Sequence, residues 1–211
     1  MAEELIFYTN PMSRGQIVRW MLEEVGAPYE TNILGYGTSM KDDAYLAINP
    51  MGKVPAIVHN GKVVTECAAI CAYLADAFPS AGLAPALADR ADYYRWMFFA
   101  AGPVEQAITA KHLGIEPDAD QQRSAGFGTL EHALDALESA VAGKTCVAGD
   151  RFTAADVYVG SQVDWGLQFG TIPSRPAFEA YAAGLRERAG YKAAKAIDNA
   201  LIAEMQAASP A

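Results

Sequence analysis

A proline set directly ahead of a short apolar run marks the first place where this chain could do chemistry. Val54-Pro55 leads into Ala56-Ile57-Val58-His59, and a second run, Lys62-Val63-Val64-Thr65, passes straight into Glu66-Cys67 and a long apolar helix. Proline has no N–H to give to a sheet ladder, so Pro55 belongs at the mouth of the strand. An X-Pro bond at such a bend is the usual place for a cis peptide. That turn is expected to leave the backbone N–H and C=O of Val54 unspent and facing outward, where they can dock an extended peptide as an added strand. The chain therefore offers an edge for a short peptide, with a helix N-terminus beside it.

Other reactive residues form no competing pattern. The cysteines are Cys67, Cys71 and Cys146, an odd number, and the histidines His59, His112 and His132 are scattered, so no metal spacing arises and no metal is expected. Cys67 and Cys71 lie one helical turn apart, which does not favour a disulfide, and all three thiols are expected to be reduced and packed. The chain has 211 residues, 52% of them hydrophobic, enough for one large domain or two small ones. A net charge of −9 argues against nucleic acid or an anionic membrane as partner. No apolar run approaches a membrane span, and Met1-Ala2-Glu3-Glu4 has no signal-peptide pattern, so a soluble cytoplasmic protein is expected.

The elements that must position the edge follow from periodicity. Leu5-Ile6-Phe7-Tyr8, bounded by Asn10-Pro11, reads as a buried strand. After Ser13-Arg14-Gly15, a helix places Ile17, Val18, Trp20, Met21, Leu22 and Val25 on an apolar face and Gln16, Arg19 and Glu23 on a solvated stripe. Gly26 and Pro28 end it. Tyr29 to Ile33 alternates as a second strand, and Lys41 to Ile48 forms a short helix stopped by Asn49-Pro50. The next two strands meet at Asn60-Gly61, a strong hairpin signal, and the helix from Glu66 to Phe78 is apolar nearly all round and expected to be buried. Strand, helix, strand, helix, hairpin, helix is the thioredoxin arrangement.

Beyond a Pro-, Gly- and Ala-rich linker at 80–87, periodic Ala- and Leu-rich stretches at about 88–113, 121–142, 154–166, 175–189 and 192–208 read as an all-α bundle. The expected organisation is an α/β domain over 1–79 and a helical domain over 88–211. Thr153 and Asp156 form a capping box, with Phe152 and Val157 at the staple positions. Losing such a cap costs about 1 kcal/mol, so its part is in folding.

Three segments resemble the cytosolic glutathione transferase family in a bacterial form, and together they span essentially the whole chain. Asn49-Pro50-x-Gly52-Lys53-Val54-Pro55-Ala56-Ile57 is similar to the family's peptide-gripping loop. Thr65-Glu66-Cys67-Ala68-Ala69-Ile70-x-x-Tyr73-Leu74-Ala75 resembles its next signature, where serine more often stands at Cys67. Phe152-Thr153-Ala154-Ala155-Asp156-Val157 is similar to its folding cap. The resemblance implies a thioredoxin-like N-terminal domain, an all-α C-terminal domain, a homodimer, a glutathione site in the first domain, and an adjoining apolar pocket shared with the second.

On that resemblance, Val54 pairs its backbone with the cysteinyl part of glutathione, next to Pro55. The N–H groups at Glu66 and Cys67 hold the γ-glutamyl carboxylate, because helix starts attract anions. The Glu66 carboxylate accepts from the γ-glutamyl ammonium, and Lys53 and Lys41 meet the glycyl carboxylate. The bland alternatives are solvated lysines and a first-turn acid that stabilises its own helix. A free thiol titrates near about 8.5, and bringing it down by about two pH units needs about 2.7 kcal/mol. One or two hydrogen bonds to the thiolate near a helix start can supply that. Candidates in the loop after the first strand are Tyr8, Thr9, Asn10 and Ser13, with Ser13 taken as the catalytic hydroxyl, though serine there also suits a helix cap. Arg14 could add positive field or pair with an acid. No cysteine lies in this loop, which disfavours thiol–disulfide exchange. Met12, Phe99 and Pro103 are expected to line the acceptor pocket, with Trp165 and Phe169 as further candidates.

The reaction implied is conjugation of the glutathione thiolate to a small hydrophobic electrophile, by positioning and by stabilising the anionic sulfur. Alternatives on the same fold are a glutathione-binding module without conjugation, or a glutathione-dependent peroxidase or isomerase.

Overall fold

A computed structural model describes residues 4–208. The start of the acidic N-terminal stretch, residues 1–3, lies outside the described residues. Among the described residues no helix is long and apolar enough to cross a membrane. Packing divides the chain into two compact units, one formed by residues up to Gly82 together with those from Arg188 onward, the other by Leu83–Glu187.

The first unit is built on a sheet of four strands, β1 (Leu5–Thr9), β2 (Glu30–Ile33), β3 (Ala56–His59) and β4 (Lys62–Thr65), in the order β2-β1-β3-β4. β1 and β2 are parallel, and the other pairs are antiparallel, with Tyr8 opposite Ala56 and Ala56 opposite Thr65. Helix α1 (Gly15–Val25) joins β1 to β2, as a parallel pair requires. It buries Ile17, Val18, Met21 and Leu22, and Gly26 ends it in the left-handed conformation. A tight turn at Ser39–Lys41 and the short helix α2 (Asp43–Leu46) occupy the stretch expected to be helical. Asn60 and Gly61 both take positive φ, the requirement of the tight turn joining β3 to β4. Helix α3 (Cys67–Ala77) buries Ile70, Cys71, Leu74 and Ala75 but leaves Ala69 and Asp76 exposed. It is therefore buried along one face only, because alanines make a helix apolar without giving it much to hide.

Arg19 departs from the expected solvated stripe. It is 1% exposed, and its Nε donates to Asp198 of α9 (Ala189–Ala208) at 3.2 Å. Its Nη1 donates to the Tyr29 hydroxyl at 3.0 Å and to Thr31 Oγ1 at 2.8 Å, and the guanidinium lies 5.0 Å from the Phe7 ring centre. Burial of so large a cation is tolerable because planar donors meet a carboxylate and two hydroxyls while the flat face meets a ring. Arg188 adds a two-pronged contact to Glu24 at 2.8 and 2.7 Å, and Lys195 donates to Gln16 at 2.9 Å. These contacts explain why α9, expected within the C-terminal helical domain, packs in the first unit against α1.

The second unit comprises α4 (Ala91–Phe99), α5 (Glu105–His112), α6 (Leu130–Val141), α7 (Ala154–Phe169) and α8 (Pro176–Arg186). The expected helix over 88–113 is interrupted by a wide π turn at Ala100–Val104 that contains Pro103. Proline cannot donate to the preceding turn and its ring crowds it, and the wider turn absorbs both effects. α6 starts later than expected, at Leu130, where Thr129 accepts from the His132 N–H at 3.1 Å. The capping box opens α7, with the Thr153 N–H donating to Asp156 at 2.9 Å and the Ala155 N–H to Thr153 Oγ1 at 3.2 Å. Asp156 is buried and also accepts from the Val147 N–H at 2.6 Å and the Tyr181 hydroxyl at 2.8 Å.

Candidate functional site

Two loops and one helix start of the first unit carry the site. The loop after β1 is organised by Asn10. Its side chain donates to the Leu34 carbonyl at 2.8 Å and accepts from the Met12 N–H at 3.0 Å. Its backbone carbonyl accepts from the Ser13 N–H at 3.0 Å and the Ser13 hydroxyl at 2.6 Å. Ser13 Oγ in turn accepts from the Gly15 N–H at 2.9 Å. The buried Ser13 hydroxyl thus acts at the start of α1, and its single proton is committed to a carbonyl. Thr9 likewise donates to the Asn10 carbonyl, at 3.4 Å. Of the expected donors, Tyr8 alone makes no side-chain hydrogen bond to a described residue. Its ring rests against Tyr45, with centres 5.6 Å apart, and it packs with Val54 on the cluster of Leu34, Met40, Tyr45 and Ala56.

The second loop runs from Asn49 to Pro55. Asn49 accepts from the Met51 N–H at 3.1 Å and donates to the Lys53 carbonyl at 2.8 Å, to which the Tyr45 hydroxyl also donates at 2.5 Å. Burial pushes Tyr45 up to about 12, so the phenol keeps the proton it needs for that bond. Gly52 sits at φ +56, and a Cβ there would lie 2.7 Å from both Lys41 Nζ and the Met40 carbonyl. Only glycine fits. Lys41 Nζ donates to the carbonyls of Met51 and Gly52 at 3.2 and 3.0 Å, so this lysine supports the loop. Lys53 is exposed. The Val54–Pro55 bond is cis, and among the described residues the backbone N–H and C=O of half-buried Val54 have no partner.

Glu66 is exposed and sits at φ +68, ψ 120, directly before α3. A non-glycine residue in this region costs about 1–3 kcal/mol, and such residues cluster at binding sites. The Cys67 thiol, at the first position of α3, lies 3.7 Å from the Arg14 carbonyl and so ties the helix start to the loop after β1. Cys71, one turn on, is fully buried, and burial, with Cys67 adding to it, pushes its thiol well above the usual range. It is inert packing. Among the described residues no group of His, Cys, Asp and Glu could hold a metal ion.

The structure thus brings Met12, Ser13, Lys41, Lys53, Val54, Pro55, Glu66 and Cys67 onto the loops and helix start of one unit. Phe99 and Pro103 belong to the other, at the end of α4 and in the π turn, both half-buried. Trp165 is half-buried and Phe169 exposed at the end of α7. Sequence reasoning missed Tyr45, whose hydroxyl holds the Lys53 carbonyl, and Tyr36, whose hydroxyl donates to the Met12 carbonyl at 3.3 Å. The signal for Tyr45 was a tyrosine on a short helix eight residues before the carbonyl it holds. For Tyr36 there was only an aromatic residue between two glycines.

This fold and loop arrangement has known counterparts. Residues 12–77 match the glutathione S-transferase N-terminal domain and residues 99–188 the glutathione S-transferase C-terminal domain. A glutathione S-transferase of Xanthomonas campestris pv. campestris is 30% identical over 177 residues, 77% of this chain and 83% of the relative. A maleylacetoacetate isomerase of Rattus norvegicus is 31% identical over 156 residues, 69% of this chain and 70% of the relative. The structure of a sphingomonad glutathione S-transferase complexed with glutathione superposes with a TM-score of 0.74 at 27% identity, covering 92% of this chain and 98% of that one. The chain is an enzyme of the glutathione S-transferase family, a thioredoxin-like α/β domain with an all-α domain.

Proposed function

We propose that this enzyme binds glutathione along the β3 rim and transfers its thiolate to an electrophilic carbon of a small apolar acceptor. The reading is carried by Val54, which keeps both backbone groups unspent beside a helix start led by the strained Glu66. The cysteinyl part pairs with Val54 next to Pro55. The γ-glutamyl carboxylate meets the N–H groups opening α3 at Cys67, and its ammonium meets the Glu66 carboxylate. Lys53 faces the glycyl carboxylate, with Lys41 behind it holding the loop and keeping a third N–H in reserve.

The sulfur then lies near the loop after β1, where the donor assignment changes. Ser13 is expected as the catalytic hydroxyl; because it donates to the Asn10 carbonyl, the reading proposed here gives it the part of holding the loop. Tyr8, packed beside Val54 with an uncommitted hydroxyl, is the donor to the thiolate. In conjugation the thiol proton leaves to solvent, the sulfur forms a bond to carbon, and the leaving group departs with its electron pair. Turnover of glutathione with a chloronitroaromatic acceptor tests this. Activity no faster than buffer removes the conjugating reading, and loss of activity in Ser13→Ala but not Tyr8→Phe returns the role to Ser13. The relative named as a maleylacetoacetate isomerase supports a second reading, a glutathione-dependent cis–trans isomerase. Isomerisation of maleylacetoacetate without conjugation would favour it. We further propose a homodimer, since α4 presents Tyr94 and Phe98, both exposed, one turn apart, and a cytoplasmic location. A monomeric mass in sedimentation would exclude the dimer.

A further inference from the structure

Side-chain hydrogen bonds within the first unit run from its last helix to the loop that follows its first strand. Lys195, half-buried on α9, donates from Nζ to Gln16 Oε1 at 2.9 Å. Gln16, in the first turn of α1, donates from Nε2 to the Pro11 carbonyl at 2.6 Å. The partners orient the amide. An ammonium only donates and a carbonyl only accepts, so Gln16 meets both only with Oε1 toward Lys195 and Nε2 toward Pro11. Lys195 is itself well placed to hold. It stands between two points where α9 is fastened to α1, with Arg19 donating to Asp198 at 3.2 Å and Arg188 to Glu24 at 2.8 and 2.7 Å. At the other end Pro11 is buried, and a buried carbonyl needs a donor.

We propose that Gln16, aimed by Lys195, is a positioning residue that sets the loop after β1 against the sulfur of bound glutathione, an inference that rests on the docking proposed above. That docking grips the tripeptide through Val54, Glu66 and the start of α3, whereas the hydrogen bonds of Gln16 go to α9 and to the loop. The pair therefore acts on the surroundings of the sulfur and not on the grip. With the Pro11 carbonyl released, the loop is freer to draw away. The Tyr8 hydroxyl and the N-terminal end of α1 then meet the sulfur less closely, and the thiolate is the form that loses by it. A looser loop shows as a less acidic bound thiol, while a ligand that has the tripeptide but no thiol binds as before. A contact that served only to dock α9 would move neither quantity.

Thiolate absorbance titrates the thiol of glutathione bound to the unaltered chain and to variants, and calorimetry gives the affinity of each for S-methylglutathione, which has no thiol to ionise. Gln16→Met keeps the length and helix preference of the side chain and removes its donor. There the midpoint is expected to rise by about half a pH unit, about threefold less thiolate below it, the size of one hydrogen bond, with affinity for S-methylglutathione within about twofold of the original. Gln16→Lys combined with Lys195→Glu restores a donor to the Pro11 carbonyl and an acceptor behind it, and brings the midpoint back. Arg188→Met loosens α9 at its other fastening, lowers stability in urea, and leaves the midpoint in place. An unchanged midpoint in Gln16→Met, or an equal rise in Arg188→Met, overturns the positioning role and leaves the docking of glutathione standing. Failure of the unaltered chain to bind either tripeptide overturns the docking reading, and the positioning role with it.

Discussion

The β3 rim of the first unit and the start of α7 in the second treat polar groups in opposite ways. At α7, Asp156 accepts from Val147, Thr153 (twice) and Tyr181, so every strong donor around it is spent inside the fold. At the rim, Val54 spends neither backbone group on a described residue, Lys53 stands in solvent, and Glu66 is held in a conformation that costs energy. One arrangement maximises stability and has nothing left to offer a ligand. The other gives up stability and keeps donors and acceptors in reserve. Such a difference separates a folding device from a binding site even when both are built from one carboxylate near a helix N-terminus.

The sharpest break in that contrast is Asp156→Ala. It leaves buried donors without partners and is expected to cost about 3 kcal/mol in urea unfolding, with glutathione affinity by calorimetry unchanged. The carboxyl also carries a pH signature. Burial raises it above its ordinary value of 3.8, so the native state holds this proton more tightly than the unfolded chain does. Its contribution is therefore greatest below about 3.8 and declines as pH rises through the raised native value. Relative to the non-titrating Asp156→Asn, the unaltered protein should lose stability over that window, read from urea midpoints at stepped pH. At the rim, Glu66→Gly should reverse the pattern. Relief of the left-handed backbone adds about 1 kcal/mol of stability, while loss of the carboxylate weakens glutathione binding by about tenfold or more, read from melting and calorimetry on one sample. Lys53→Ala should weaken glutathione binding by only about threefold, an effect that fades in high salt because the charge is exposed. Cys67→Ser should change affinity by less than about twofold, since serine presents the same backbone N–H and a similar small side chain.

Much of this contrast could be read from the chain itself because its signals are local. Asn60-Gly61 sets its turn through neighbouring φ angles, Thr153 and Asp156 meet within one helical turn, and Pro55 declares a strand mouth by lacking an N–H. Arg19 could not be read in the same way. Its spacing placed it on a wet stripe, and its partner lies 179 residues away in a helix whose own periodicity carries no hint of it. Ser13 was ambiguous for a related reason. A serine before a helix looks the same whether its proton faces a ligand or a carbonyl, and the carbonyl it meets here, that of Asn10, depends on the path of the loop. The π turn around Pro103 was hidden because a periodic apolar pattern survives the insertion of one residue.

The pairing of Arg19 with Asp198 has a consequence for how the chain is made. The unit that holds the rim is discontinuous, so its buried cation has no counter-charge until the ribosome has added much of α9, whereas Leu83–Glu187 is by then complete. Domains fold as they emerge, and here the stretch synthesised first is the one that closes last.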